Sequence, residues 1–496
     1  MEVVTSFKPL LAVLVSLIAG CLILLTGERS KNLRETWTIL ASVVKVIIVS
    51  SMIPIVLQGK IIEYTIVSLA PGLSLQFRVD AFGLLFGILA STLWIATSLY
   101  SIGYMRGLNE HAQTRYFFCF AIAISATMGI AFAGNLLTLF VFYEVLTIAT
   151  YPLVAHKETP EAIKGGRKYL TYTLTAGVVI LFSMAIIYYL TGTLDFKPGG
   201  FIAGYASADM IRFLFGALIL GFGVKAAIMP IHEWLPTAMV APTPVSALLH
   251  AVAVVKAGVF GVLRVILYVF GPNLLHDMGL WIVLAYFVSF TILVSCFFAL
   301  AQDNIKRRLA FSTINNLSIV ILGAALLTAS AIKGGMLHIA YHGFMKITLF
   351  FVAGAIYVKT HKENVSELDG LGRQMPLTMG SFAIGAMGVT GIPPLCGFIS
   401  KWYLCLGSLE AHEIVFLFVF LASALLDAAF FFPIVFRAFF KKPKEDVNPH
   451  FNEASMFMVI PLMTTAIASL VLGIFPNAFV HFYEIVTLAV RNILGG

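Results

Sequence analysis

The chain has 496 residues, of which 60% are hydrophobic and 11% charged. Soluble domains carry about 25% charged residues, so the composition excludes a soluble globular protein and defines a polytopic membrane protein. The formal charge of +8 does not point to nucleic acid, because the Lys and Arg residues gather in alternate loops instead of one patch.

A membrane-spanning helix needs about 20 predominantly apolar residues. Fourteen candidate spans follow along the chain, near 8–27, 37–57, 82–104, 116–134, 136–155, 166–191, 208–230, 244–269, 278–301, 309–330, 335–358, 378–407, 414–438 and 456–477. The predicted fold is therefore all-α. The first span has no basic region ahead of it and no clear small-residue cleavage site, and reads as a retained helix. Partial alternation through Ile61, Ile62, Tyr64, Ile66 and Leu69 predicts a hairpin on one face of the bundle.

Four segments result: 1–115, three helices with the hairpin; 116–271, a first five-helix unit; 272–440, a second; and 441–496, a loop, the last helix and a short tail. Nineteen of the 32 Lys and Arg fall in alternate loops, among them Lys306, Arg307 and Arg308, with Lys441, Lys442 and Lys444 in another. Seven fall in the intervening loops. The positive-inside rule then places the basic loops in the cytoplasm and both termini outside, in a cell inner (plasma) membrane.

The five cysteines are scattered, with no CxxC, and the chain has no Walker A, GxGxxG or HExxH motif. No cofactor is expected, and self-contained redox or ATP-driven chemistry loses support. Energy must come from an ion gradient or from a separate protein of a larger complex.

Two spans are interrupted. The seventh breaks after Lys225 at Pro230 and Pro236, and the twelfth breaks before Lys401 at Gly391, Pro393 and Pro394. Unpaired backbone at membrane depth survives only where it is buried in protein or lines a cavity. Broken helices at matching places point to inverted repeats, here spans 4–8 and 9–13.

A charge at the bilayer centre costs roughly 3 kcal/mol on insertion scales unless it meets a partner or water. Glu144, Lys225, Lys256 and Lys401 nevertheless lie in apolar runs. Lys225 is the natural partner of Glu144, either as a switch or as a structural ion pair. Lys256 is a candidate proton acceptor, with His250 six residues earlier either packing or passing protons through water. His338, His342 and Lys346 recur at i, i+4 and i+8 on one helical face. They form a proton wire more readily than a metal site, because no acid or cysteine joins them and Lys346 repels a cation; no metal is expected. Lys45, Arg264 and Asp427 are auxiliary candidates, and Asp427 could balance one of the lysines.

The motifs together are specific. Glu144, Lys225 ahead of Pro-Ile-His-Glu-Trp-Leu-Pro, Pro242-Thr-Pro-Val-Ser-Ala-Leu-Leu-His through Lys256, Asp303-Asn-Ile-Lys-Arg-Arg-Leu-Ala-Phe-Ser-Thr-Ile, and Gly391-Ile-Pro-Pro-Leu-Cys-Gly-Phe-Ile-Ser-Lys run over most of the chain. The chain resembles the antiporter-like subunits shared by Mrp-type sodium/proton antiporters, respiratory complex I and membrane-bound hydrogenases. The resemblance implies fourteen helices with two inverted five-helix repeats. It also implies a Glu144–Lys225 pair feeding a hydrated axis through Lys256, His342 and Lys346 to Lys401. Partners implied are other membrane subunits, lipid, and H⁺, with Na⁺ as a cation moved either here or in a partner subunit. Lys401 stands where the middle complex I subunit usually has glutamate, which favours the Mrp D-type subunit or its hydrogenase counterpart. Ser312-Thr-Ile-Asn-Asn-Leu-Ser departs from the commoner Ser-Thr-Ile/Val-Ser pattern and keeps a redox-driven complex open.

Overall fold

The computed structural model describes residues 2–442 and 451–495, so Lys444 lies outside the described residues. Helices α1 (Lys8–Thr26), α2 (Lys31–Ser50) and the short α3 (Ile53–Leu57) open the chain. The predicted hairpin is present as β2 (Ile61–Ala70) and β3 (Leu73–Val79), antiparallel and turning at Gly72, whose φ of +71° suits glycine. β1 (Val3–Thr5) adds a third strand parallel to β2, which local pattern did not foretell. Helix α4 (Ala81–Gly107) follows, its N-terminus capped by the Asp80 carboxylate accepting from the Gly83 amide.

The next group comprises α5 (Gln113–Ala131), α6 (Leu136–Val154), α7 (Pro160–Thr191), α8 (Ala208–Lys225), the single turn α9 (Trp234–Thr237), α10 (Thr243–Ala251) and α11 (Val254–Arg264). A π-helical turn over Val265–Phe270 and α12 (Pro272–Asp277) link it to the second group. That group is α13 (Leu280–Ala301), α14 (Ile305–Ala325), α15 (Ala329–Thr360), α16 (Pro376–Thr390), α17 (Cys396–Glu410) and α18 (Ile414–Phe440). Helices α19 (Met456–Ile474) and α20 (Phe482–Leu494) complete the chain.

Among the described residues, twelve helices are long and apolar enough to cross a membrane. The remaining two expected spans are the interrupted ones: α8 ends at Lys225, and α16 and α17 are separate 15-residue helices flanking Gly391–Leu395. Both breaks therefore fall where proline and glycine predict them. Two features differ from expectation. The eighth span is itself broken at Val252–Ala253, where the Ala253 amide reaches back to the Leu248 carbonyl. The tail after α19 forms the amphipathic helix α20, which packs on α4 and α15.

The two groups correspond in register. Asn135 caps α6 and Thr159 caps α7; 169 residues further on (135 to 304, 159 to 328), Asn304 caps α14 and Thr328 caps α15. The same step carries the bridge Asn135–Asp195 onto Asn304–Asn364. Helices α7 and α15 are each 32 residues long.

Close approach at the first break depends on glycine. A methyl group at Gly258 of α11 would stand 2.3 Å from the Ala226 amide nitrogen and 2.6 Å from the Lys225 carbonyl carbon. Both are backbone atoms and cannot rotate aside. Gly258→Ala is therefore expected to push α8 off α11 and cost about 1–3 kcal/mol, the usual range for overpacking. A lowered thermal unfolding midpoint of the purified protein would report it; an unchanged midpoint would contradict the packing.

Candidate functional site

The interrupted helices bring a row of basic side chains to the middle of the bundle. Lys225, Lys256, His250, His338, His342 and Lys346 are fully buried, and Lys401 is 8% exposed. Such groups must find hydrogen-bond partners inside the protein.

Lys225 is the last residue of α8. Its Nζ donates to the Tyr143 backbone carbonyl at 2.6 Å and lies 3.2 Å from the Tyr143 ring centroid. Glu144, the next residue on α6, is half-buried and faces Gly177 of α7. Among the described residues none donates a hydrogen bond to its Oε1. The expected Glu144–Lys225 ion pair is therefore not closed: the amine is satisfied by a carbonyl and an aromatic face beside the carboxylate. Trp234 holds the break in place by donating its indole N–H to the Val224 carbonyl at 2.7 Å, and the Met229 amide donates to Thr291 Oγ1 at 3.2 Å. Pro230 lies in this irregular stretch and Pro236 within the single turn α9.

Lys256 of α11 meets α15 directly, with Nζ 2.9 Å from His342 Nδ1. His342 in turn stacks on His338, ring centroids 5.7 Å apart, as the i, i+4 spacing predicts. His338 is fixed at both nitrogens: Nε2 lies 3.0 Å from Asn316 Oδ1 and Nδ1 lies 2.9 Å from Ser400 Oγ. Asn316 donates its amide to the Ser312 carbonyl at 2.7 Å, which turns its oxygen towards the imidazole. Neutral His338 accordingly carries its proton on Nε2, while the Ser400 hydroxyl facing Nδ1 also donates to the Gly397 carbonyl at 3.1 Å. His250 does not join this row: it packs on the Phe350 ring at 4.7 Å, and among the described residues neither ring nitrogen has a hydrogen-bond partner.

Lys346 donates to Ser312 Oγ at 2.8 Å. Lys401, five residues into α17, donates to the Thr390 carbonyl freed at the Gly391 break (3.2 Å) and forms an ion pair with Asp427 of α18 at 3.0 Å. Asp427 thus balances Lys401, and Asn315 donates to its other oxygen at 3.1 Å while accepting from Ser423 at 2.9 Å. Pro393 and Pro394 belong to the same break. Among the described residues, no direct hydrogen bond joins Lys225 to Lys256 or Lys346 to Lys401.

The auxiliary candidates divide. Arg264 makes a bidentate ion pair with Asp80, at 2.6 and 2.8 Å, between the Phe82, Phe196, Phe260 and Tyr268 rings. Lys45 donates to Ser16 at 2.5 Å and lies over Trp94, among α1, α2 and α4. Sequence reasoning missed the partner residues Ser312, Asn315, Asn316 and Ser400. A signal existed on α14, where Ser312, Thr313, Asn315, Asn316 and Ser318 crowd one stretch of a buried helix.

A polytopic helical bundle with broken helices and a buried row of amines and imidazoles defines a membrane subunit that holds ionisable groups at mid-bundle. The family model for NADH:quinone oxidoreductase/Mrp antiporter, TM, matches residues 133–426, and the chain belongs to that family as an antiporter-like subunit. The matched stretch holds every member of the row and stops one residue short of Asp427. The chain is 29% identical over 439 residues to NADH-quinone oxidoreductase subunit N of Desulforudis audaxviator, covering 84% of this chain and 85% of that one. It is 31% identical over 445 residues to the A/B component of a probable K(+)/H(+) antiporter of Rhizobium meliloti. That alignment covers 87% of this chain and 43% of the relative, so the chain spans less than half of that protein's length. A chain in the structure of the Mrp complex from Dietzia sp. superposes with a TM-score of 0.87 at 20% identity, covering 98% of this chain and 97% of that one. At that identity the likeness speaks to the fold.

Proposed function

We propose that this chain moves protons through the membrane as the D-type subunit of a multisubunit Mrp-type cation/proton antiporter. The observation that carries this reading is the contact of Lys256 Nζ with His342 Nδ1 at 2.9 Å, buried and with no carboxylate on either group. Two bases sharing one hydrogen bond hold one proton between them. Passing it from ammonium to imidazole requires no heavy-atom movement. Among the described residues His342 Nε2 has no hydrogen-bond partner, which leaves it free to release a proton onward.

In this scheme Glu144 switches Lys225, Lys225 and Lys256 load, and His342, His338 and Lys346 conduct. Lys401 releases, with Asp427 as its counter-charge. Residues 116–271 and 272–440 act as the two inverted halves, supported by the 169-residue correspondence. The proposed setting is a cell inner membrane with the basic loops cytoplasmic, both termini outside, and lipid and further membrane proteins of the complex around the bundle.

Lys225→Ala is the direct test. In membrane vesicles, measured by quenching of a ΔpH-sensitive dye, it is expected to abolish cation-coupled proton movement while the chain still assembles. Wild-type transport in that variant sinks the scheme. A second reading has its own support: the relative matched over most of its length is named as an NADH-quinone oxidoreductase subunit. The same axis would then serve a redox-driven complex. Iron–sulfur signals in the copurified assembly decide for it, and their absence together with cation/proton exchange decides for the antiporter.

A further inference from the structure

Away from the buried row, the turn between α4 and α5 meets the end of α6 on the basic-loop face. Positive φ angles at Asn109 and Ala112 bend the first turn so that Glu110 and His111 face His156, which directly follows α6. The His111 and His156 rings stack with centroids 4.9 Å apart, and His111 Nδ1 lies 3.9 Å from Glu110 Oε2. One donor atom from each of the three residues lies within 4.8 Å of the other two. His156 is fully buried, yet among the described residues neither of its ring nitrogens makes a hydrogen bond of ordinary geometry, the His111 backbone being the polar group beside it. Buried polar atoms without partners are rare in native structures and call for an explanation.

We propose that Glu110, His111 and His156 form a binding site for a divalent transition-metal ion of the zinc type. Two imidazoles and one carboxylate are the donor set of a three-ligand zinc site with an open fourth position. Zinc ligands at about 2.0–2.2 Å stand roughly 3.3 Å from one another. The 3.9 Å pair must close by about half an ångström to reach that spacing and the wider pairs, up to 4.8 Å, by as much as about 1.5 Å, which rotation of the Glu110 and His111 side chains on their turn has to supply. His111, 48% exposed, gives the ion a way in. The nearest cation, Arg115, is already paired with Glu158 and the His156 carbonyl. Glu158 Oε1 also lies 3.9 Å from His111 Nε2 and contributes negative charge to the opening. An ion held here would tie the α4–α5 turn to the end of the helix that carries Glu144. The site stands independently of the transport reading.

The test is Zn²⁺ binding to the purified full-length protein, stripped of metal and titrated against a chromogenic chelator. One tight equivalent is expected. Glu110→Gln and His111→Gln should each weaken it by tenfold or more, since loss of even an outer-shell partner costs ~10–100-fold. Co²⁺ should give a visible tetrahedral absorption band that His156→Gln removes. His111→Gln alters a half-exposed turn residue, and an unchanged unfolding midpoint will show that its fold is intact even where His156→Gln fails to fold. Weak binding that is equal in every variant, wild type included, overturns the site. So does the absence of a tight equivalent in the wild type, or the same affinity in wild type and His111→Gln.

Discussion

Asp427→Leu is expected to lower the unfolding midpoint of the purified protein by the equivalent of about 3–5 kcal/mol, the usual cost of removing one partner from a buried ion pair. The variant leaves the Lys401 ammonium with the Thr390 carbonyl as its remaining hydrogen-bond partner among the described residues, and orphans the Asn315 amide. The double variant Asp427→Leu/Lys401→Met should recover most of that stability, because buried pairs are often replaceable by apolar groups of similar volume. If Lys401 releases protons as proposed, the double variant folds and does not transport. Recovery of transport together with stability would show that the pair only fastens α17 to α18. No single substitution separates those two roles, since either one alone leaves a buried charge.

Arg264→Met should be similarly costly, again about 3–5 kcal/mol, but with a different signature. It strips both hydrogen bonds from Asp80, whose Oδ1 must also cap α4. Arg264→Lys should restore little, because an ammonium cannot reproduce the fork that meets both carboxylate oxygens, nor the planar stacking among four aromatic rings. Transport per folded molecule is expected to stay near wild type in both variants, since neither residue touches the Lys–His row. A stable Arg264→Met protein would remove the pair from any account of how α4 is held against α11.

What could be read from the sequence was what is encoded locally. Apolar runs mark the spans, Pro230, Gly391, Pro393 and Pro394 mark two breaks, and the i, i+4, i+8 spacing puts His338, His342 and Lys346 on one face. The break at Val252–Ala253 was invisible because no proline or glycine announces it; the chain bends there through a backbone bond to Leu248 that any residue could make. Helix α20 is 13 residues long, too short for a spanning-length pattern. Partners were the hardest to foresee. Lys225 and Glu144 are opposite charges in separate spans, yet the amine bonds to the carbonyl next to the carboxylate. Asp80 lies 184 residues from Arg264, and Ser312 lies 34 from Lys346. Contacts of that separation follow from packing and leave no local trace.

The equal register of the two halves has a further consequence. The 169-residue step carries Glu144 on α6 onto Thr313 on α14, and Gly177 on α7 onto Lys346 on α15. In one half a carboxylate fills the space that an absent side chain leaves, since a methyl at Gly177 would come within 2.5 Å of Glu144 Oε1. In the other half the third helix itself supplies an amine, and the second helix answers with hydroxyls. The backbone plan is repeated while the polarity at the matching depth is reversed. At this depth the two frames are alike and their charges opposite, so the Glu144 position of one half cannot stand in for its counterpart in the other.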